Sequence, residues 1–157
     1  MIFAARLTSR GGLATTPGRS ASCVTVTPSA EEPDAEKALL LRAAILDEAV
    51  RALVPALWLY EVGNTVARRF PAHAEAWTSA LMRFGLEEAP LSEAWLAKSL
   101  ELTRRHGVSF YDATYHALAL IHKGRFITGD AKYVARAAAS GSVSLLADWQ
   151  APRRGRA

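Results

Sequence analysis

The chain changes character along its length. Residues 8–20 are rich in Gly, Ser, Thr and Pro and read as a loop or unstructured leader. Val24 and Val26 alternate with threonines, so 22–27 predicts a short strand that Pro28 stops. From there apolar positions recur mainly at helical spacing. Pro33 and flanking acids open a helix over 35–52, with Leu39, Leu40, Ala43, Ile45 and Val50 as its apolar face. Residues 53–55 predict a short strand. Pro55 opens a helix that runs to about Phe70 and ends at Pro71, and another covers 73–83 before Gly85. Ser92 is the expected N-cap of a helix carrying Trp95, Leu96, Leu100 and Leu102, which Gly107 closes. A strand at 108–110 and a helix over 111–122, capped by Ser109, come next. Residues 125–128 predict a strand, Gly129 and Asp130 a turn, 131–139 an Ala-rich helix and 143–146 a last strand.

Short apolar strands thus alternate with helices, and no hairpin signal or internal repeat intervenes. That is the pattern of an α/β protein, with a short parallel sheet covered by helices. At 157 residues, one domain with a substantial core is expected. Three segments follow: a disordered or mis-assigned leader over 1–20, a domain over 21–149, and a basic tail over 150–157.

Charge sharpens these boundaries. The net +4 would by itself suggest a nucleic-acid binder. Yet Arg6, Arg10 and Arg19 lie in an acid-free stretch before residue 31, and Arg153, Arg154 and Arg156 lie in the tail. Residues 31–152 hold 13 basic and 15 acidic side chains, so the body is mildly acidic. The acid-poor, Arg/Ser/Thr-rich beginning has the look of an organellar transit peptide, but a disordered or mis-assigned leader is the preferred reading. The single cysteine, Cys23, can form no intrachain disulfide and suits a reducing compartment. No apolar run reaches the 18–20 or so residues that span a bilayer. A cytoplasmic protein without a membrane role is expected.

Phosphate-binding glycine loops, paired CxxC and HExxH motifs are absent. His73, His106, His116 and His122 are scattered and read as surface or partly packed side chains. Three acids stand out by position. Glu61 sits among Leu57, Trp58, Leu59, Tyr60 and Val62, where an unpaired carboxylate would cost several kcal/mol to bury. Asp112 and Asp130 each sit at a predicted strand–helix junction. In an open parallel sheet, groups at the carboxyl ends of strands converge on one crevice. Three such acids make an all-oxygen site suited to Mg²⁺ or Mn²⁺. Taken singly, each has a plainer explanation. An Asp in a first turn is very often only a cap or dipole partner, and Glu61 would suit the exposed stripe of an amphipathic helix. The conjunction favours the site.

The motifs around these acids resemble a known family. Val54-Pro-Ala-Leu-Trp-Leu-Tyr-Glu61-Val-Gly-Asn64 is similar to the second acidic motif of PIN-domain ribonucleases. Gly107-Val-Ser-Phe-Tyr-Asp112-Ala-Thr-Tyr115-His-Ala-Leu-Ala119 resembles their third, and Phe126-Ile-Thr128-Gly-Asp130 their fourth. Glu31-Glu-Pro-Asp-Ala-Glu-Lys-Ala38 is similar to the segment after their first strand. The resemblance spans about 21–148 and is strongest to VapC-type toxins of bacterial toxin–antitoxin pairs. It implies a Rossmann-like sandwich and Mg²⁺- or Mn²⁺-dependent hydrolysis of RNA phosphodiesters. Commonly such a protein is a homodimer held in check by an antitoxin protein. Asp112, Asp130 and Glu61 would gather the metal, while Asn64 and Thr128 orient water or phosphate. The family also opens with a strand ending in Asp, and here that position falls close to Ser20. Serine is neutral and does not balance a divalent charge. Either the beginning of the chain is frameshifted or wrongly started, the preferred reading, or the first ligand has been lost. In the second case a catalytically inactive module that pairs with an antitoxin or RNA is the alternative function. A helical interaction protein with no nucleic-acid role is a third possibility, and it would lack a parallel sheet.

Overall fold

The computed structural model describes residues 34–84 and 86–152, together with the backbone of two short strands, β1 (Phe3–Arg6) and β2 (Ala21–Cys23). The expected Ser20 position, the rest of the predicted 22–27 strand and the Arg-rich end of the tail lie outside the described residues. The remaining elements are α1 (Ala35–Leu46), β3 (Arg51–Val54), α2 (Leu57–Arg69), α3 (Ala74–Arg83), β4 (Glu87–Glu88), α4 (Glu93–His106), α5 (Phe110–Ile121), β5 (Arg125–Thr128), α6 (Ala131–Ala137) and β6 (Val143–Leu145). Single 3₁₀ turns at Pro71–His73 and Ala138–Ser140 join α2 to α3 and follow α6.

Period-2 alternation in the two best-buried strands builds the layers. Ala52 and Val54 of β3 and Ile127 of β5 pack with Leu41, Trp58, Val62, Val66 and Trp149. Leu53 and Phe126, their neighbours in sequence, pack on the other face with Trp95, Leu102, Tyr115, Leu118 and Tyr133. Helices α1 and α2 therefore cover one face of the sheet, and α4, α5 and α6 cover the other. This is the expected α/β sandwich.

β4 pairs parallel with β3, and both β2 and β6 pair parallel with β5. β1 departs from the all-parallel expectation. It runs antiparallel to both β3 and β5, with Ala4 opposite Leu53 and Phe126, so part of the expected leader is a strand. β1 lies between β3 and β5 and supplies backbone hydrogen-bond partners to both. Because β1 opposes both, β3 and β5 are parallel to each other and their carboxyl ends share one edge of the sheet.

Three local expectations are corrected. Helix α1 stops at Leu46 rather than Ala52, since buried Val50, Ala52 and Val54 require an extended backbone at the sheet. Its inward positions are Ala38, Leu41 and Ala44, whereas Leu39 and Leu40 point outward, Leu39 at 63% exposure. Residues 108–110 form no strand. Gly107 closes α4 in the left-handed conformation (φ 61°), and Ser109 caps α5 only two residues later. A connection this short makes α4 and α5 a helical hairpin, which the Trp95 indole nitrogen ties by donating to the Thr114 carbonyl at 2.8 Å.

Candidate metal and nucleic-acid site

Helix α2 leaves β3 after two residues, Pro55 and Ala56, at the carboxyl edge of the sheet. Trp58, Val62 and Val66 form its inward stripe at i, i+4 and i+8. Glu61 lies beside that stripe and is half-buried. Its Oε2 accepts a 2.5 Å hydrogen bond from the Tyr115 hydroxyl of α5. Glu61 is thus no exposed stripe residue; it joins the two helices. Burial pushes its pKa up, the Tyr115 bond acts against that rise, and the charge of Asp112 adds to it.

Asp112 occupies the third position of α5. Ser109 Oγ accepts from the Asp112 backbone N–H at 3.0 Å and donates to Asp112 Oδ2 at 2.6 Å. The helix cap therefore also fixes the carboxylate, leaving Oδ1 with no protein donor among the described residues. Asp112 follows a helix–helix turn, not a strand as expected, and reaches the site because α5 packs across the sheet. Tyr115 lies three residues further on the same face. Its ring is fully buried and stacks 6.2 Å from Phe126. Sequence reasoning gave Tyr115 no role, although its i+3 spacing from Asp112 was the available signal.

Asp130 follows β5 at the same sheet edge and is exposed. It is the N-cap of α6: Oδ1 accepts from the backbone N–H groups of Lys132 (2.8 Å) and Tyr133 (3.0 Å). Thr128, almost fully buried, uses Oγ1 to accept from the Asp130 N–H at 3.1 Å. Its observed task is to fold the turn that presents Asp130. Asn64 is exposed on α2, one turn beyond Glu61. Tyr115 is thus bonded to Glu61 within the field of Asp112, whereas the Asp130 carboxylate and the Thr128 hydroxyl are engaged in their own turn.

Among the described residues, no group of three His, Cys, Asp or Glu side chains is gathered to hold a metal ion. A pair of mutually repelling carboxylates nevertheless fits Mg²⁺, which is commonly held by one or two carboxylates and otherwise by water and substrate phosphate. Burial is the main reason the Glu61 pKa is raised, and the nearby Asp112 charge adds a smaller push in the same direction.

His116 is a core residue rather than a surface or partly packed one. Its Nε2 contacts the Gly141 carbonyl at 2.6 Å and Nδ1 the Tyr133 hydroxyl at 2.9 Å. A carbonyl only accepts, so Nε2 carries the proton and Nδ1 accepts from Tyr133. Burial lowers the His116 pKa, partly offset by the Gly141 bond. No helix among the described residues is long and apolar enough to cross a membrane.

The family model described as PIN domain matches residues 23–139, about three-quarters of the chain. No curated protein and no solved structure matches it.

Proposed function

The chain belongs to the PIN-domain family, and from that premise we propose that it is a divalent-metal-dependent endoribonuclease, the toxin of a toxin–antitoxin pair. PIN domains are typically metal-dependent nucleases that act on RNA. The observation that carries the reading for this chain is the placement of two carboxylates near one another, Glu61 held from α2 by the Tyr115 hydroxyl of α5 and Asp112 fixed by Ser109 in the first turn of the same helix.

Glu61 and Asp112 would hold Mg²⁺ or Mn²⁺. The cation, when bound, supplies Lewis-acid polarisation of a phosphoryl oxygen and a water acidic enough to attack at neutral pH. Tyr115 holds Glu61 by one oxygen and leaves the other for coordination. Ser109 does the same for Asp112. Asp130 would have only Oδ2 to offer, since Oδ1 is spent on the α6 cap. Thr128 sets the Asp130 turn, and the exposed Asn64 amide orients water or phosphate beside Glu61. We further propose a cytoplasmic homodimer restrained by an antitoxin protein. The test is cleavage of RNA by the full chain with Mg²⁺ or Mn²⁺, beside D112N. Metal-dependent cleavage lost in D112N supports the assignment; equal activity removes Asp112 from the mechanism.

A second reading has its own observation. Asp130 is engaged as a helix cap, and the family's first acid has no counterpart near Ser20. A non-catalytic PIN module that still pairs with RNA or an antitoxin fits those facts. Calorimetric titration with Mn²⁺ separates the two: clear binding heat that disappears in D112N counts against the inactive module.

A further inference from the structure

We propose that Tyr60 and Tyr111 are base-stacking residues that hold unpaired nucleotides beside Glu61 and Asp112. This rests on the ribonuclease reading of that pair but concerns how the strand is gripped.

Tyr60 immediately precedes Glu61 on α2, and Tyr111 immediately precedes Asp112 on α5. They are among the most exposed large side chains of the described residues, at 79% and 64%. Among the described residues neither ring makes an aromatic contact or a hydrogen bond, in contrast to Tyr115 and Tyr133, which are buried and bonded. An α-helix turns about 100° per residue, so each ring stands about a quarter-turn around the helix from its acid. The Tyr115–Glu61 bond fixes α2 to α5 at this level, so the two rings are carried beside one acid pair by two clamped helices.

This placement suits a single strand rather than a duplex. Stacked bases in a duplex leave their faces covered, whereas a single strand can turn its bases onto aromatic rings. Such stacking tolerates any sequence, because every base has a π-face. It also supplies grip that does not depend on charge. The body around the site is mildly acidic, and two carboxylates repel a phosphate chain until a cation is bound. Stacking on rings next to those acids offsets that repulsion and holds the strand near them.

The experiment is fluorescence anisotropy of the full chain with a labelled single-stranded RNA oligonucleotide in EDTA, where cleavage does not intervene. Y60A and Y111A are each expected to weaken binding about five- to a hundredfold. Y60F and Y111W should bind like the parent, because stacking needs the ring and not the hydroxyl. An RNA duplex of the same sequence should bind weakly and be indifferent to all four changes. Alanine variants that bind the single strand like the parent overturn the proposal, as does a parent chain with no affinity for it. Y60F or Y111W binding as weakly as the matching alanine variant also overturns it, since the hydroxyl would then be the determinant. Loss of self-association in the alanine variants with RNA binding intact assigns the rings to a protein contact and overturns it too. The nuclease reading fails separately: ring-dependent binding without cleavage in Mg²⁺ or Mn²⁺ leaves stacking standing, and cleavage with ring-independent binding does the reverse.

Discussion

Replacing Tyr115 with Phe removes one hydroxyl and leaves the buried ring against Phe126. The hydroxyl donates to Glu61, whose carboxylate is half-buried and within the field of Asp112. A hydrogen bond to a charged group contributes about 1.5–3 kcal/mol. Glu61 is partly solvated, so water replaces some of the lost bond, and about 1–2 kcal/mol is the expected cost near neutral pH. The cost must also depend on pH. Burial raises the folded-state pKa of Glu61 above its unfolded value of about 4.3. The stability associated with this group is therefore fully present below the unfolded pKa and is lost as pH rises through the folded one. Without Tyr115's hydroxyl the folded pKa rises further and the loss deepens. At acid pH Glu61 is protonated, and only a neutral hydrogen bond of about 0.5–1.5 kcal/mol is forfeited. Urea denaturation of Tyr115→Phe and the parent between about pH 4 and pH 8 measures this. The difference in unfolding free energy should grow with pH and should stay small and flat in a Glu61→Gln background. A difference that is constant, or that grows toward acid pH, would refute the assigned bond and the assigned direction of the pKa shift. Added Mg²⁺ should reduce the pH dependence of the parent by supplying the missing positive charge.

The other expectations concern groups that fold the site or stand beside it. His116→Gln should cost about 1–3 kcal/mol by leaving Tyr133 or Gly141 without its partner. It should also remove part of the parent's acid sensitivity: with the folded pKa depressed, the unfolded state takes up the proton first, so stability falls as pH drops below the unfolded value of about 6.5. Urea curves across that range check both statements. Asp130→Ala should lower stability by about 0.5–2 kcal/mol through loss of the α6 cap, whereas Asp130→Asn keeps most of the cap and removes the charge. Thermal unfolding beside Mn²⁺ calorimetry distinguishes its two roles: weaker metal binding in Asp130→Asn at near-parent stability identifies Asp130 as a ligand, and unchanged binding leaves it a cap.

Local chemistry made much of this protein readable from its residues alone. Prolines, cap serines and glycines interact over three or four residues, so Ser92, Gly107, Ser109 and Pro71 placed helix ends close to where they occur. The short apolar run before Gly129 and Asp130 marked β5 over 125–128, and the order of acidic motifs identified the family. What depended on distant partners was not readable. The end of α1 is decided by the demand of Val50, Ala52 and Val54 for the sheet, not by the helix's own propensity. The antiparallel entry of β1 depends on the edges of β3 and β5, which lie far away in sequence. His116 is a core histidine only because Tyr133 and Gly141 arrive from elements that follow it. The three acids Glu61, Asp112 and Asp130 were equivalent as letters. The hydrogen bond from Tyr115 of α5 to Glu61 of α2 brings two of them near one another, and the turn after β5 draws the third into a helix cap. Sequence alone determined the family and the order of helices and strands that carry its acidic motifs. The tertiary structure decided which carboxylates share a field, because that depends on a few ångströms between residues more than fifty positions apart.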